Sequence, residues 1–260
     1  MPLSTDLDKI SEELFRLTTE GGDEYCGAVI KAAADQLQWG AGKNDYRAIF
    51  IAGNEPFTQG GVDFRSSCKE AIAKGIVVNT IFCGNNDEGV RTQWKDGAAL
   101  ADGSYFSINQ NEKVVTIATP FDKDLAELNG RINATYVAYG KAGQEGAQRQ
   151  AAQDANAAGA APSVAAARAV TKSSGYYKNS SWDLVDAAKE KDFKLAEVKE
   201  EELPAEMKAL PPEKRQAYVD EKAKERAAVQ EQIAKVAKDR DAFIAAERKK
   251  QAAGSATNTL

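Results

Sequence analysis

Three short apolar runs, each bounded by glycine or polar loop residues, set the rhythm of the first part of the chain. Arg47-Ala-Ile-Phe-Ile-Ala-Gly53 and Ile76-Val-Val-Asn-Thr-Ile-Phe82 are nearly continuous in Ile, Val and Phe. That pattern predicts strands buried on both faces, the mark of a parallel sheet. Ser104–Ile108 predicts a third, shorter strand. Between them the apolar period changes to three and four. Phe64, Cys68, Ala71 and Ile72 predict one helix, and Val90, Trp94, Ala98 and Ala101 mark the face of another. Upstream, Leu7, Ile10, Leu14 and Leu17 predict an amphipathic helix that starts near Thr5 and ends at Gly21-Gly22. An alanine-rich helix follows over about Asp23 to Gln38. Strand and helix alternation of this kind predicts an α/β fold, a partial doubly wound (Rossmann-like) parallel sheet.

Beyond Asn111 the pattern differs. Val114–Ala118 reads as one more short strand, and from Asp122 onward only helical periods remain. One helix is expected over Asp122–Tyr136. A second, over Gly143–Val170, is broken by the glycines at 140, 143 and 146, and a short one follows Trp182. Trp182 reads as an anchor fixing that short helix to the body. Pro204, Pro211 and Pro212 precede a long charged helix over Glu213–Lys250. Its stripe of Val229, Ile233, Val236 and Phe243 is a partial heptad, too thin for a full coiled coil because Arg226 and Arg240 fall in register. The expected organisation is an α/β segment over 1–110, a helical connecting region over 111–203, and a long charged C-terminal helix with a frayed tail over 204–260. Residues 111–260 are thus an all-helical extension.

Composition narrows the chemistry. The chain carries no histidine, which removes Ser-His-Asp and Cys-His catalysis and histidine-ligated zinc. Cys26, Cys68 and Cys83 form no C-x-x-C pair and read as small apolar core residues. A net charge of -5 argues against a phosphate-backbone partner. A mean hydropathy of -0.49, with no long apolar run, argues against a membrane span. The glycines near 140–146 lack the G-K-[ST] ending of a phosphate loop. No nucleophile–base pair is visible, so the expectation is a protein that is not an enzyme.

Gly21-Gly22-Asp23-Glu24 stands before the alanine-rich helix. Then come Ile-Phe-Ile-Ala-Gly-Asn-Glu-Pro-Phe57, Lys-Gly-Ile-Val-Val-Asn-Thr-Ile-Phe-Cys-Gly84 and Ala-Asp-Gly-Ser-Tyr-Phe106. Together these segments resemble bacterial von Willebrand factor A-type proteins, over roughly residues 3–110. The helical remainder resembles the extension of one bacterial subgroup. The resemblance implies a sheet whose C-terminal strand ends bind a partner protein through a divalent cation, usually magnesium. The family's first metal loop, D-x-S-x-S, has no counterpart in this sequence. Asp23 stands where the second loop offers threonine, and Asn54, beside Glu55, where the third offers aspartate. Asp23, Asn54 and Glu55 are therefore the residues of an incomplete metal site, and no cofactor is expected unless a missing N-terminal portion is supplied. The plainer reading has Asp23 cap a helix and Asn54 fix a turn. Asp23, Glu24, Asn54, Glu55 and Phe57 are the expected partner-binding residues.

The resemblance also implies that a first strand belongs beside Arg47–Gly53. As written, that strand lies on an open edge, which aggregates or recruits another strand. The expectation is an N-terminally shortened product. Another chain that completes the sheet is the alternative. The expected partner is a protein, neither nucleic acid nor membrane. A homo-oligomer through the sheet edge or the C-terminal helix stays open. The start lacks a secretion signal, and a leader in the missing portion would place the protein in the periplasm or outside the cell. The leading expectation is a binding or scaffolding protein that uses its sheet-end loops. Assembly through the C-terminal helix comes second, and hydrolysis of an unknown substrate is the weakest reading.

Overall fold

A computed structural model of the chain describes residues 2–18, 21–109 and 117–257, with side-chain surroundings through residue 250. The short strand expected at Val114–Ala118 lies mostly outside the described residues. Contacts divide the chain into an α/β unit, whose body is residues 18–115, and a helical unit of residues 4–17 and 116–260. The first helix, α1 (Leu7–Phe15), expected with the α/β segment, belongs to the helical unit.

The α/β unit runs α2 (Cys26–Gln36), β1 (Ala48–Gly53), α3 (Phe64–Ala73), β2 (Val77–Phe82), α4 (Asn86–Arg91), α5 (Trp94–Ala99) and β3 (Tyr105–Ser107). The fold is mixed α/β, with the three strands forming one parallel sheet in the order β1-β2-β3. The register pairs Ile49 with Val78, Ile51 with Thr80 and Gly53 with Phe82, so these side chains share one face. On that face lies the core, where Cys26, Ile30, Phe64, Cys68, Phe82 and Trp94 meet. Burial pushes the Cys26 thiol up to about 12 and the Cys68 thiol up to about 11, as expected of core cysteines. The expected helix through Val90 and Trp94 is two helices. Gln93 takes a left-handed φ of 71° between them, which turns Val90 outward while Trp94, Ala98 and Ala101 stay buried.

The opposite face departs from expectation. Phe50 on β1 is 64% exposed and Phe106 on β3 is 52% exposed. Ala52, Ile81 and Phe106 lie side by side across the strands on this face. β1 is therefore a half-exposed edge strand, not one buried on both faces. The helices α2, α3 and α5 pack on the other side, through the shared core.

The helical unit comprises α1, α6 (Asp122–Asn133), α7 (Gly140–Ala160), α8 (Pro162–Ser173), α9 (Leu184–Ala187), α10 (Ala205–Lys208) and α11 (Pro212–Thr257). Pro212 opens α11, where a missing N–H costs nothing. The stripe on α11 is spent inside the chain. Val229 and Ile233 pack with Leu125, Leu128 and Ile132 of α6 and with Ala166 of α8, and Phe243 meets Phe121 edge-on. The interrupting arginines have buried partners: Arg226 bonds Asp183 and Asp186, and Arg240 bonds Asp122. The glycine run is not a helix break. α7 begins at Gly140 and continues through Gly143 and Gly146. At Gly146 a Cβ would come within 2.4 Å of the Trp182 ring, so a bare backbone is what lets that ring approach. Trp182 is buried and stacks on Tyr136, as an anchor should.

α1 is capped by Asp6, which accepts from the Lys9 N–H at 2.9 Å; Thr5 plays no such part. Its buried residue is Asp8, while Leu14 and Leu17 are exposed. Asp8 is held by the Arg168 guanidinium and by the Tyr177 hydroxyl, which donates at 2.6 Å. Arg168 and Lys172 in turn reach Asp154, each at 2.8 Å. Two acids and two bases thus balance in one enclosed cluster.

Burial pushes Lys172 down to about 8 in spite of Asp154. The unfolded chain keeps this proton up to its ordinary value of 10.5, while the fold gives it up near 8. Folding therefore releases a proton between these pH values, and the Lys172 contribution to stability increases as pH rises through them. The expected slope is at most about 1.4 kcal/mol per pH unit. Urea midpoints measured across this range for wild type and Lys172→Met check it. The wild type should gain on the variant as pH rises, and parallel profiles would refute the assignment.

Candidate binding surface at the strand ends

At the C-terminal end of β1 the chain turns through Asn54-Glu55-Pro56, and the loop before α2 comes alongside. Glu24 joins them. Its Oε2 accepts the Asn54 N–H at 2.9 Å and the Glu55 N–H at 3.2 Å. A Cβ at position 53 would lie 2.0 Å from that oxygen, so the bare backbone of Gly53 is what lets the Glu24 carboxylate settle there. Gln59 ties the same two loops again, accepting from the Glu24 N–H and donating from Nε2 to Asp23 Oδ1 at 3.0 Å. The Tyr25 hydroxyl donates to Asp23 Oδ2 at 2.8 Å. Asp23 is therefore no helix cap; α2 starts from Tyr25 without a side-chain cap. Asn54 reaches Glu55 Oε1 only at 3.5 Å, so its side chain stands outward.

Behind this rim, Trp94 Nε1 donates to the Glu55 carbonyl at 2.8 Å, and the Phe57 N–H donates to the Thr92 carbonyl at 3.0 Å. Phe57 is a correction. Expected on the contact surface, it is fully buried, edge-on to Phe64 and Trp94 at centroid distances of 5.0 and 4.9 Å. An aromatic ring between two others contributes more in the core than in water. The structure thus brings Asp23, Glu24, Asn54 and Glu55 together and withdraws Phe57 from them.

A polar cleft of about 640 Å³ opens beside the rim, lined among others by Asn54, Glu55, Asn85, Arg91 and Thr92. Arg91 is exposed and pairs with Glu88 at 3.3 Å. A smaller groove of about 380 Å³ runs past Tyr25, Val29, Ile51 and Ala52.

Magnesium requires several converging oxygens free of other donors. Here Asp23 spends both carboxylate oxygens on Gln59 and Tyr25, and Glu24 Oε2 takes two backbone N–H groups. The carboxylates face donors, and as arranged they do not fit a magnesium ion. Among the described residues no group of three or more Asp, Glu, Cys or His is placed to hold a metal.

Comparison with protein-family models, with curated proteins and with solved structures finds no match.

The residues that sequence reasoning missed are those that fix the rim: Gln59, Tyr25 and Trp94. Gln59 lies 36 positions from Asp23, in a glycine-flanked loop without periodicity, and nothing in the sequence pairs the two. Trp94 was legible as a core residue, but its indole bond to the Glu55 carbonyl was not. Among the described residues no helix is long and apolar enough to cross a membrane.

Proposed function

We propose that the protein is a non-enzymatic binding or scaffolding protein whose contact surface is the rim of loops at the C-terminal ends of β1 and β2. In this reading the α/β unit is the partial core of a doubly wound, von Willebrand factor A-type domain, and its partner is another protein. The observation that carries it is Glu24, which bonds two backbone N–H groups of the neighbouring loop and makes one fixed surface from two segments. A surface already ordered before binding loses less entropy on association. The rim is acidic, with Asp23, Glu24 and Glu55 close together, so a basic patch is the complementary partner chemistry. The position also follows the general rule that open α/β sheets bind at the carboxyl ends of their strands.

Assembly through the C-terminal helix is less favoured, because the apolar stripe of α11 already packs against α6 and α8. Capture from an extract of the source cells tests the choice. Asp23→Lys combined with Asn54→Lys, both at exposed positions, should reduce capture by roughly tenfold, about 1.4 kcal/mol of binding free energy. The exposed-face change Lys235→Glu on α11 should leave capture unchanged. Full capture by the double variant would overturn the proposal.

A further inference from the structure

A surface helix ordinarily buries an apolar stripe. α1 buries none. Its one buried residue is Asp8, and it gives no side chain to either apolar cluster of the helical unit, while Leu14 and Phe15 stay exposed. Acids hold it instead. Asp6 and Glu12 reach Arg149 of α7 at 3.3 and 3.4 Å. Asp8 sits between Arg168 of α8 and the Tyr177 hydroxyl, and Gln150 donates to that hydroxyl from Nε2 at 3.0 Å. The seat of α1 is thus a basic groove whose ligand is an acidic helix of the same chain.

The grip is weak for physical reasons. Charges that dock lose hydration, which cancels much of their attraction. Asp8 Oδ1 is enclosed, and beyond its ion pair with Arg168 it accepts no hydrogen bond among the described residues. A helix of nine residues does not persist by itself, so release also recovers chain entropy. The seat does not need α1 for its own charge balance. Arg168 keeps Asp154, and Arg149 keeps Glu145.

We propose that α1 is a displaceable plug, and that the seat on α7 and α8 receives an acidic helix from a partner protein. Such a helix carries carboxylates one turn apart, as Asp8 and Glu12 are. The α1 of a second copy is the poorer occupant. It brings only the contacts of the resident helix, which competes from a high effective concentration because it is tethered. This groove lies wholly in the helical unit and does not depend on the strand-end binding proposed above.

A fluorescent peptide of residues 4–17, added to the full chain and followed by anisotropy, tests it. The wild type, its seat filled, should bind the peptide weakly. Asp8→Lys with Glu12→Ala in the full chain expels the resident helix, and should tighten peptide binding at least roughly tenfold. Adding Arg149→Glu should undo the gain, and a peptide carrying Asp6→Asn and Glu12→Lys should restore it. A misfolded seat would accept neither peptide, so the rescue separates recognition from structure. In the wild type itself, the α1 amides should exchange with solvent at least roughly tenfold faster than those of α6 and α8. An expelled-helix variant that ignores the peptide, binding indifferent to Arg149→Glu, or α1 amides as protected as those of α8 would each overturn the proposal. A wild-type dimer abolished by Asp8→Lys would also overturn it, by giving the seat to a second copy.

Discussion

Replacing Arg226 by alanine is expected to cost the helical unit about 3–5 kcal/mol, the usual penalty for stranding the partners of a buried ion pair. The guanidinium is 2% exposed and every N–H is used. Nε donates to Thr135 Oγ1 at 3.0 Å, and Nη1 donates to Asp183 Oδ2 and Asp186 Oδ1 at 2.7 and 3.1 Å. Nη2 donates to the Thr135 carbonyl and to Asp183 Oδ1 at 2.8 and 3.1 Å. The plane also rests on the Tyr136 ring, 3.9 Å from its centroid. One side chain on α11 thereby fixes the end of α6 and the start of α9. Removing it leaves Asp183 enclosed without a counter-charge, and leaves Asp186 only the exposed Lys189. Arg226→Lys keeps the charge but not the planar fork, and should recover less than half of the loss. Urea unfolding followed by far-ultraviolet circular dichroism gives both numbers. A midpoint for Arg226→Ala within about 1 kcal/mol of wild type would show that the cluster is dispensable.

The same cluster shows where the sequence could be read and where it could not. The strands at 48–53 and 77–82 and their parallel pairing were legible, because apolar runs between glycine-marked loops alternate with helical periods. The stripe on α11 was legible, but Arg226 and Arg240 looked like faults in it. Their carboxylates lie 43 and 118 positions away, and no local period encodes such pairs. α1 failed in the opposite sense. Its leucines suggested a buried face, yet the residue it buries is Asp8, for a tyrosine 169 positions away. The uncovered sheet face was hidden for a different reason. Ala48, Phe50 and Ala52 are as apolar as Ile49 and Ile51, so alternation could not say which side carried helices. At the strand ends, Asp23, Glu24, Asn54 and Glu55 were singled out through the family resemblance, and the hydrogen bonds that join their two loops were not legible in the sequence. Phe57 was misassigned because its burial depends on Phe64 and Trp94, which only the folded chain brings near it.

Trp94→Ala should lower the stability of the α/β unit by about 3–5 kcal/mol, since it empties the largest fully buried side chain of the core. The ring packs against Phe57 at 4.9 Å and Phe82 at 5.7 Å, and these would line the cavity left behind. The more informative variant is Trp94→Phe, which keeps most of the packing and removes the indole N–H. That N–H holds the Glu55 carbonyl, and Glu55 and Asn54 give their own N–H groups to Glu24. Loss of the indole bond leaves a half-buried carbonyl short of a donor, at a cost of about 1–3 kcal/mol. The loosening should be local. The Asn54 and Glu55 amides should exchange with solvent about tenfold faster or more, while Val78 and Thr80, bonded to the Ala101 and Ser104 carbonyls, keep their protection. Thr80 Oγ1 bonds the main-chain carbonyl of residue 94, not its ring, so that link survives the substitution. Equal acceleration at β2 and at the rim would mean that Trp94 acts only through the core. Acceleration confined to Asn54 and Glu55 would show that the core sets the rim in place through a single hydrogen bond, and capture of a partner should then weaken together with it.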